Sequence, residues 1–98
     1  MEYHYHINAN IKERINEHEL DEMFRNQFGD DLISVESFYD ILEPPRTGNI
    51  HLLLKRELDT QKVVEMVKKC LSSYVKSIHV SRIEDWEGFI KKYKYNSE

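Results

Sequence analysis

The sequence predicts an α+β sandwich of order βαββαβ: one antiparallel sheet of four strands, two helices on one face, and a further amphipathic helix at the C-terminus. Three patterns carry this. Apolar residues alternate with polar ones in the opening segment, two later segments show helical spacing, and residues 7–37 align without a gap on residues 50–80 at an offset of 43. The alignment matches Ile7 with Ile50, Lys12 with Lys55, Glu22 with Glu65, Met23 with Met66 and Ser34 with Ser77. Apolar positions also coincide, from Ile11/Leu54 and Ile15/Leu58 through Phe24/Val67 to Val35/Ile78, as two copies of one packing unit require. At 98 residues the chain has material for one core, so residues 1–98 form a single domain.

Each element has a local reason. Tyr3, Tyr5, Ile7 and Ala9 alternate with His4, His6 and Asn8, the period of a strand with one buried face, beginning at about Glu2. A helix starting at Asn10 would set Ile11 and Ile15 opposite Leu20, Met23, Phe24 and Phe28. Asn16 is therefore the expected cap, with Glu19 completing a capping box and Gly29 ending the helix after Phe28. The second strand, about Leu32 to Leu42, places Ile33, Val35, Tyr39 and Ile41 on one face and Ser34, Glu36 and Asp40 on the other. Pro44 and Pro45 stop it, Thr47-Gly48-Asn49 supplies a turn, and the third strand follows over Ile50 to Lys55. Asp59 caps a second helix carrying Val63, Val64, Val67, Cys70, Leu71 and Tyr74 at helical spacing, and Val75 to Ser81 is the fourth strand.

Two right-handed crossovers place both helices on one side of the sheet, giving the strand order 4-1-3-2. The arrangement resembles the ferredoxin-like fold, a resemblance of architecture and not of family. A C-terminal helix over about 82–94 follows, with Ser81 and Glu84 as a capping box and Trp86, Phe89, Ile90 and Tyr93 as an apolar stripe. The stripe must pack on the open sheet face, on an edge of the domain, or on a partner.

Charge and composition exclude several classes. The net charge is -4, but residues 1–49 carry 11 acidic and 4 basic side chains and residues 50–98 carry 7 and 10, so the halves stand at -7 and +3. The acidic sign argues against nucleic acid as the partner. No apolar run is long enough for a membrane helix and the opening residues lack the pattern of a signal peptide, so a cytoplasmic protein is expected. The single Cys70 allows no internal disulfide. Abundant Lys, Asn, Ile and Tyr suggest an AT-rich bacterial or phage source.

Two sets of residues stand out. By strand parity His4, His6, His51 and His79 share the face turned away from the helices, where imidazoles on neighbouring strands would be close enough to share a metal or to respond to pH near 6. A half-exposed polar face accommodates histidine equally well, so no metal and no cofactor are assigned. Nucleophile elbows, phosphate-binding glycine loops and zinc motifs are absent, and Asn8-Ala9-Asn10-Ile11 lacks the glycine-rich loop of the acylphosphatases, so no catalytic residue is assigned and the chain reads as a non-enzyme. His4-Tyr5-His6-Ile7-Asn8 loosely resembles the shorter signature of RNA-recognition domains, but Thr47 to Leu54 carries no stacking ring.

The second set is acidic. Asp30, Asp31, Glu36, Asp40 and Glu43 surround the second strand and hairpin with no basic counterpart in the predicted packing. They suit a basic protein surface, as in small inhibitors, immunity proteins and phage-encoded antagonists of nucleic-acid-binding enzymes. A small non-catalytic protein-binding module is thus the expected function. The alternatives are single-stranded RNA binding on the open sheet face and a histidine-based metal or ligand sensor. A sheet edge or the C-terminal helix also offers a homodimer contact.

Overall fold

The computed structural model describes residues 1–40, 42 and 45–97, with side chains through Lys92. Its elements are β1 (Tyr3–Ile11), α1 (Glu17–Phe28), β2 (Leu32–Tyr39), β3 (Thr47–Leu54), α2 (Thr60–Leu71), β4 (Val75–Ile83) and α3 (Trp86–Ser97), with a 3₁₀ turn at Gly29–Asp31. The sheet order is β2-β3-β1-β4 with every neighbouring pair antiparallel, the ferredoxin-like arrangement.

The inward-facing residues of β1, Tyr5, Ile7 and Ala9, are fully or almost fully buried, and they meet Leu20 and Phe24 of α1 and Val63, Val67 and Leu71 of α2 in one core. Each fully buried aliphatic or aromatic side chain of this set stabilises the fold by about 1.5–3 kcal/mol relative to exposure. Asn16 caps α1, its Oδ1 accepting from the His18 and Glu19 amides at 2.8 and 3.3 Å. Glu19 does not close the box; its carboxylate turns toward the Tyr74 hydroxyl. Gly29 ends the helix at φ 61°, a left-handed conformation favourable to glycine, and its amide donates to the Arg25 carbonyl. Asp59 caps α2 through the Gln61 amide at 3.1 Å. Cys70 is half-buried between the helices and donates to the Met23 carbonyl at 3.6 Å; burial pushes its thiol up to about 11.

Four expectations are corrected. First, Leu32 pairs with Leu54 but Ser34 with Leu53, so Ile33 is the extra residue of a β-bulge and only half-buried, while Leu32 takes the core position. Secondly, β2 ends at Tyr39, because the Asp40 carboxylate folds the chain back, accepting from the Leu42, Arg46 and Thr47 amides at 2.8–2.9 Å. Ile41, Glu43 and Pro44 lie outside the described residues. Thirdly, Thr47, Gly48 and Asn49 are the opening residues of β3 and not a turn, since Asn10, Ala9 and Asn8 of β1 pair with them. A Cβ at Gly48 would stand in ordinary contact with the Tyr39 ring, 3.4 Å away. Fourthly, α3 starts at Trp86 and not near 82. The partnership of His4 with Ile83 prolongs β4, Ser81 sits in the strand opposite His6, and Asp85 caps the helix through the Gly88 amide at 3.1 Å.

Candidate functional site

The open face is built from alternate residues of the central strands. His4, His6 and Asn8 of β1 face the same way as Asn49 and His51 of β3, with His6 directly opposite His51. His4 Nδ1 and His51 Nε2 meet at 2.9 Å, one ring donating and the other accepting, with their planes 7° apart. Together they form a flat plate, on which the Trp86 indole lies with its centroid 3.7 Å from that of His51 and its plane 12° away. Phe89, one helical turn on, packs on His6 at 4.9 Å. Trp86 and Phe89 of α3 therefore cover the part of the sheet face around His4, His6 and His51 that the βαββαβ pattern alone leaves open.

Burial has chemical consequences. His51 is held down to about 4 by burial first and by the neighbouring His4 and His6 second. His6 is lowered chiefly by burial, against a hydrogen bond between its Nε2 and Asn49 Oδ1 at 2.9 Å that favours the charged ring. Asn49 Oδ1 also accepts from Asn8 Nδ2 at 3.1 Å, so one amide ties two residues of β1. His79 lies on the same face, opposite Asn8, but is exposed and outside the stack. The nitrogens of His4 and His51 that point at each other are mutually engaged, and among the described residues no group of three or more His, Cys, Asp or Glu is placed to hold a metal.

The acidic set divides. Asp31 is paired with Arg56 at 3.0 Å, and Asp40 is the hairpin cap described above, held below the usual carboxylate range first by the Thr47 amide. Both have partners inside the fold, which corrects the expectation that they are uncompensated. Glu43 lies outside the described residues. Asp30 and Glu36 are exposed, and Glu36 stands on β2 directly opposite His51 of β3.

Beside Glu36 is a residue that sequence reasoning passed over. Phe38 shares the open face with Ser34 and Glu36 and is 57% exposed, because α3 stacks over β1 and β3. Leu42, 46% exposed, follows it just past the strand. The same parity that placed the histidines would have placed Phe38. Among the described residues β2 pairs with β3 alone, so its outer backbone edge is open.

No family model and no curated protein matches this sequence. Among solved structures it is similar to a dimeric ferredoxin-like protein from an uncultured marine organism, at 15% identity over 83% of this chain and 84% of that one, with a TM-score of 0.48. It is also similar to a dimeric protein of unknown function and ferredoxin-like fold from Bacteroides fragilis, at 12% identity over 85% of this chain and 95% of that one, with a TM-score of 0.48. No helix among the described residues is long and apolar enough to cross a membrane.

Proposed function

We propose that this chain is a small non-catalytic protein-binding module that captures a basic, extended segment of a partner along the outer edge of β2. The observation that carries the reading is Phe38, a large apolar side chain 57% exposed on an edge strand and two residues from the exposed Glu36. An edge strand offers main-chain hydrogen bonds to an added strand, and alternate side chains then set the specificity. Phe38 would supply the apolar anchor, and Glu36 and Asp30 the charge that selects a basic partner.

The other edge differs. β4 carries Lys76 and Arg82, cations of the kind that blunt edges against pairing, whereas Glu36 is the one charge within β2. Like charges oppose self-pairing only in particular registers. Of the two equally central registers that keep both open faces on one side, one sets Glu36 of β2 opposite its own copy and the other sets it opposite Ser34, whereas the centred register of β4 sets Lys76 opposite Arg82. A foreign basic strand meets no such repulsion. In a cytoplasmic setting such a module acts as an inhibitor or antagonist by occupying the basic surface with which an enzyme holds nucleic acid.

The test is capture by the tagged chain from its native host, repeated with Glu36→Lys and Phe38→Ser. The expected result is one basic partner lost with either variant, while the variants keep the wild-type circular dichroism. Hydrogen exchange on the complex should show new protection over 32–39. A partner that survives both substitutions, or protection confined to β4 or α3, would overturn the reading. The competing reading, RNA on the sheet face, requires the indole to leave His51; it predicts a gel shift lost on replacing His4 and His51.

A further inference from the structure

Far from the β2 edge, and independent of the reading given to it, the end of β1, the last turn of α2 and the start of β4 enclose a groove of about 360 Å³. A bulge builds it. Asn10 pairs with Ser77 and Ile11 with Val75, so Lys76 is an extra residue with no partner across the ladder. A bulge re-aims the side chain it carries, and here Lys76 lines the groove with Lys12, just past β1, and Lys68 of α2. The Lys12 amide donates to the Tyr74 carbonyl at 2.7 Å, which pins the Lys12 segment against the turn leading into β4.

The electrostatics of the groove run against those of the molecule. The chain carries a net charge of -4, yet no carboxylate lines this groove, and among the described residues none of its three lysines forms an ion pair. Lys68 and its neighbour Lys69 sit where cations compensate the carbonyl end of a helix, an effect equivalent to about half a charge. That accounts for part of one lysine. Lys12 and Lys76 lie off the helix and have no such explanation. The groove lining also includes Ser72 and Ser77. Its wall beside Ser77 is apolar, from Val75 and Ile78.

We propose that this groove binds a dianionic phosphomonoester, the phosphate held by the Lys12, Lys68 and Lys76 ammonium groups and the organic part resting on Val75 and Ile78. Lysine suits the task because an ammonium acts as a compact point charge toward phosphate from any direction. Three lysines lining one groove favour two charges on one group over the single charge of each phosphodiester in a nucleic-acid backbone.

The test is amide NMR on the full chain, titrated with phenyl phosphate, inorganic phosphate and an oligothymidylate at constant ionic strength. Saturable shifts at Lys76, Ser77 and Ile78 are expected, with phenyl phosphate binding more tightly than inorganic phosphate. Lys76→Gln and Lys12→Gln should each weaken phenyl phosphate roughly tenfold, the loss of one charge-assisted hydrogen bond. Lys62→Gln, elsewhere on α2, should leave the affinity unchanged. Both groove lysines are exposed, so the variants should retain the wild-type spectrum outside the groove. The proposal is overturned by shifts that never saturate at millimolar ligand, by an equal loss in Lys62→Gln, or by tighter binding of the oligothymidylate than of phenyl phosphate.

Discussion

Tyr5 is the residue on which the packing of both halves converges. Its side chain is fully buried, yet its hydroxyl donates to the Leu58 carbonyl at 2.6 Å and accepts from the Leu58 amide at 2.9 Å. Its inward orientation follows from alternation along β1; its partner, 53 positions away, does not. Tyr5→Phe strands both backbone groups in the core and should cost about 1–3 kcal/mol in urea denaturation, with the native fold retained. A loss near zero would mean that water enters and replaces the hydroxyl. His51 makes the corresponding case for pH. Its ring is depressed to about 4 in the folded chain against 6.5 when free, so the unfolded chain binds the extra proton between those values. Its contribution is therefore complete above about pH 6.5 and is lost as the pH falls toward 4. A fully buried ring shifted this far would contribute about 3 kcal/mol, and half-exposure discounts that to about 1. The Tm should fall on acidification from pH 7 to 4.5, with a parallel change in the fluorescence of Trp86, the only tryptophan. His51→Phe should flatten both profiles; unchanged slopes would remove His51 as the cause.

Among the elements, α3 and β2 departed most from local expectation. Ser81 and Glu84 have the spacing of a capping box, but the ladder between β1 and β4 runs on to Ile83 and takes Ser81 into the sheet. Tertiary pairing overrode a local signal, and Asp85 became the cap. Asp85→Ala should cost about 1 kcal/mol of α3 stability. Faster amide exchange at Gly88 and Phe89 with no change in the core strands is the expected signature; a uniform rise in exchange would mean that α3 does not open independently. In β2 the single extra residue Ile33 shifts the register by one, which a strict period of two cannot anticipate. By contrast, α1 and α2 began where Asn16 and Asp59 indicated and α1 ended where Gly29 did, because a cap acts on the backbone within three residues of itself, whereas α2 stops at Leu71, short of the Tyr74 that helical spacing had included.

Over the whole molecule, charge is distributed by both sequence and fold. The acidic excess of residues 1–49 lies largely exposed, from Glu13, Glu17, Glu19 and Glu22 at and before α1 to Asp30 and Glu36 beside and on β2, while the fold gathers Lys12, Lys68 and Lys76 from three separate segments. If capture of a basic partner uses the acidic side, its association rate should fall steeply as salt shortens the Debye length from about 10 Å at 0.1 M toward about 3 Å at 1 M. Stopped-flow mixing measures this, and a salt-independent rate would point to apolar docking on Phe38 alone. The two loops that precede the helices are closed by one device: the Tyr39 hydroxyl engages both backbone groups of Ile15 as Tyr5 does those of Leu58. Ile15 and Leu58 are counterparts at the offset of 43.

Alternating polarity, helical spacing and capping residues act over a few positions, and they were sufficient for the order of the elements, most of their faces and, through the handedness of crossovers, the strand order. The indole over the His4–His51 plate, the carboxylates of Asp31 and Asp40 drawn into internal contacts, and the bulge that turns Lys76 into a groove came from the folded arrangement alone. Each depends on where distant segments meet in space, as in the 47 positions that separate His4 from His51, and no short-range pattern encodes such a meeting.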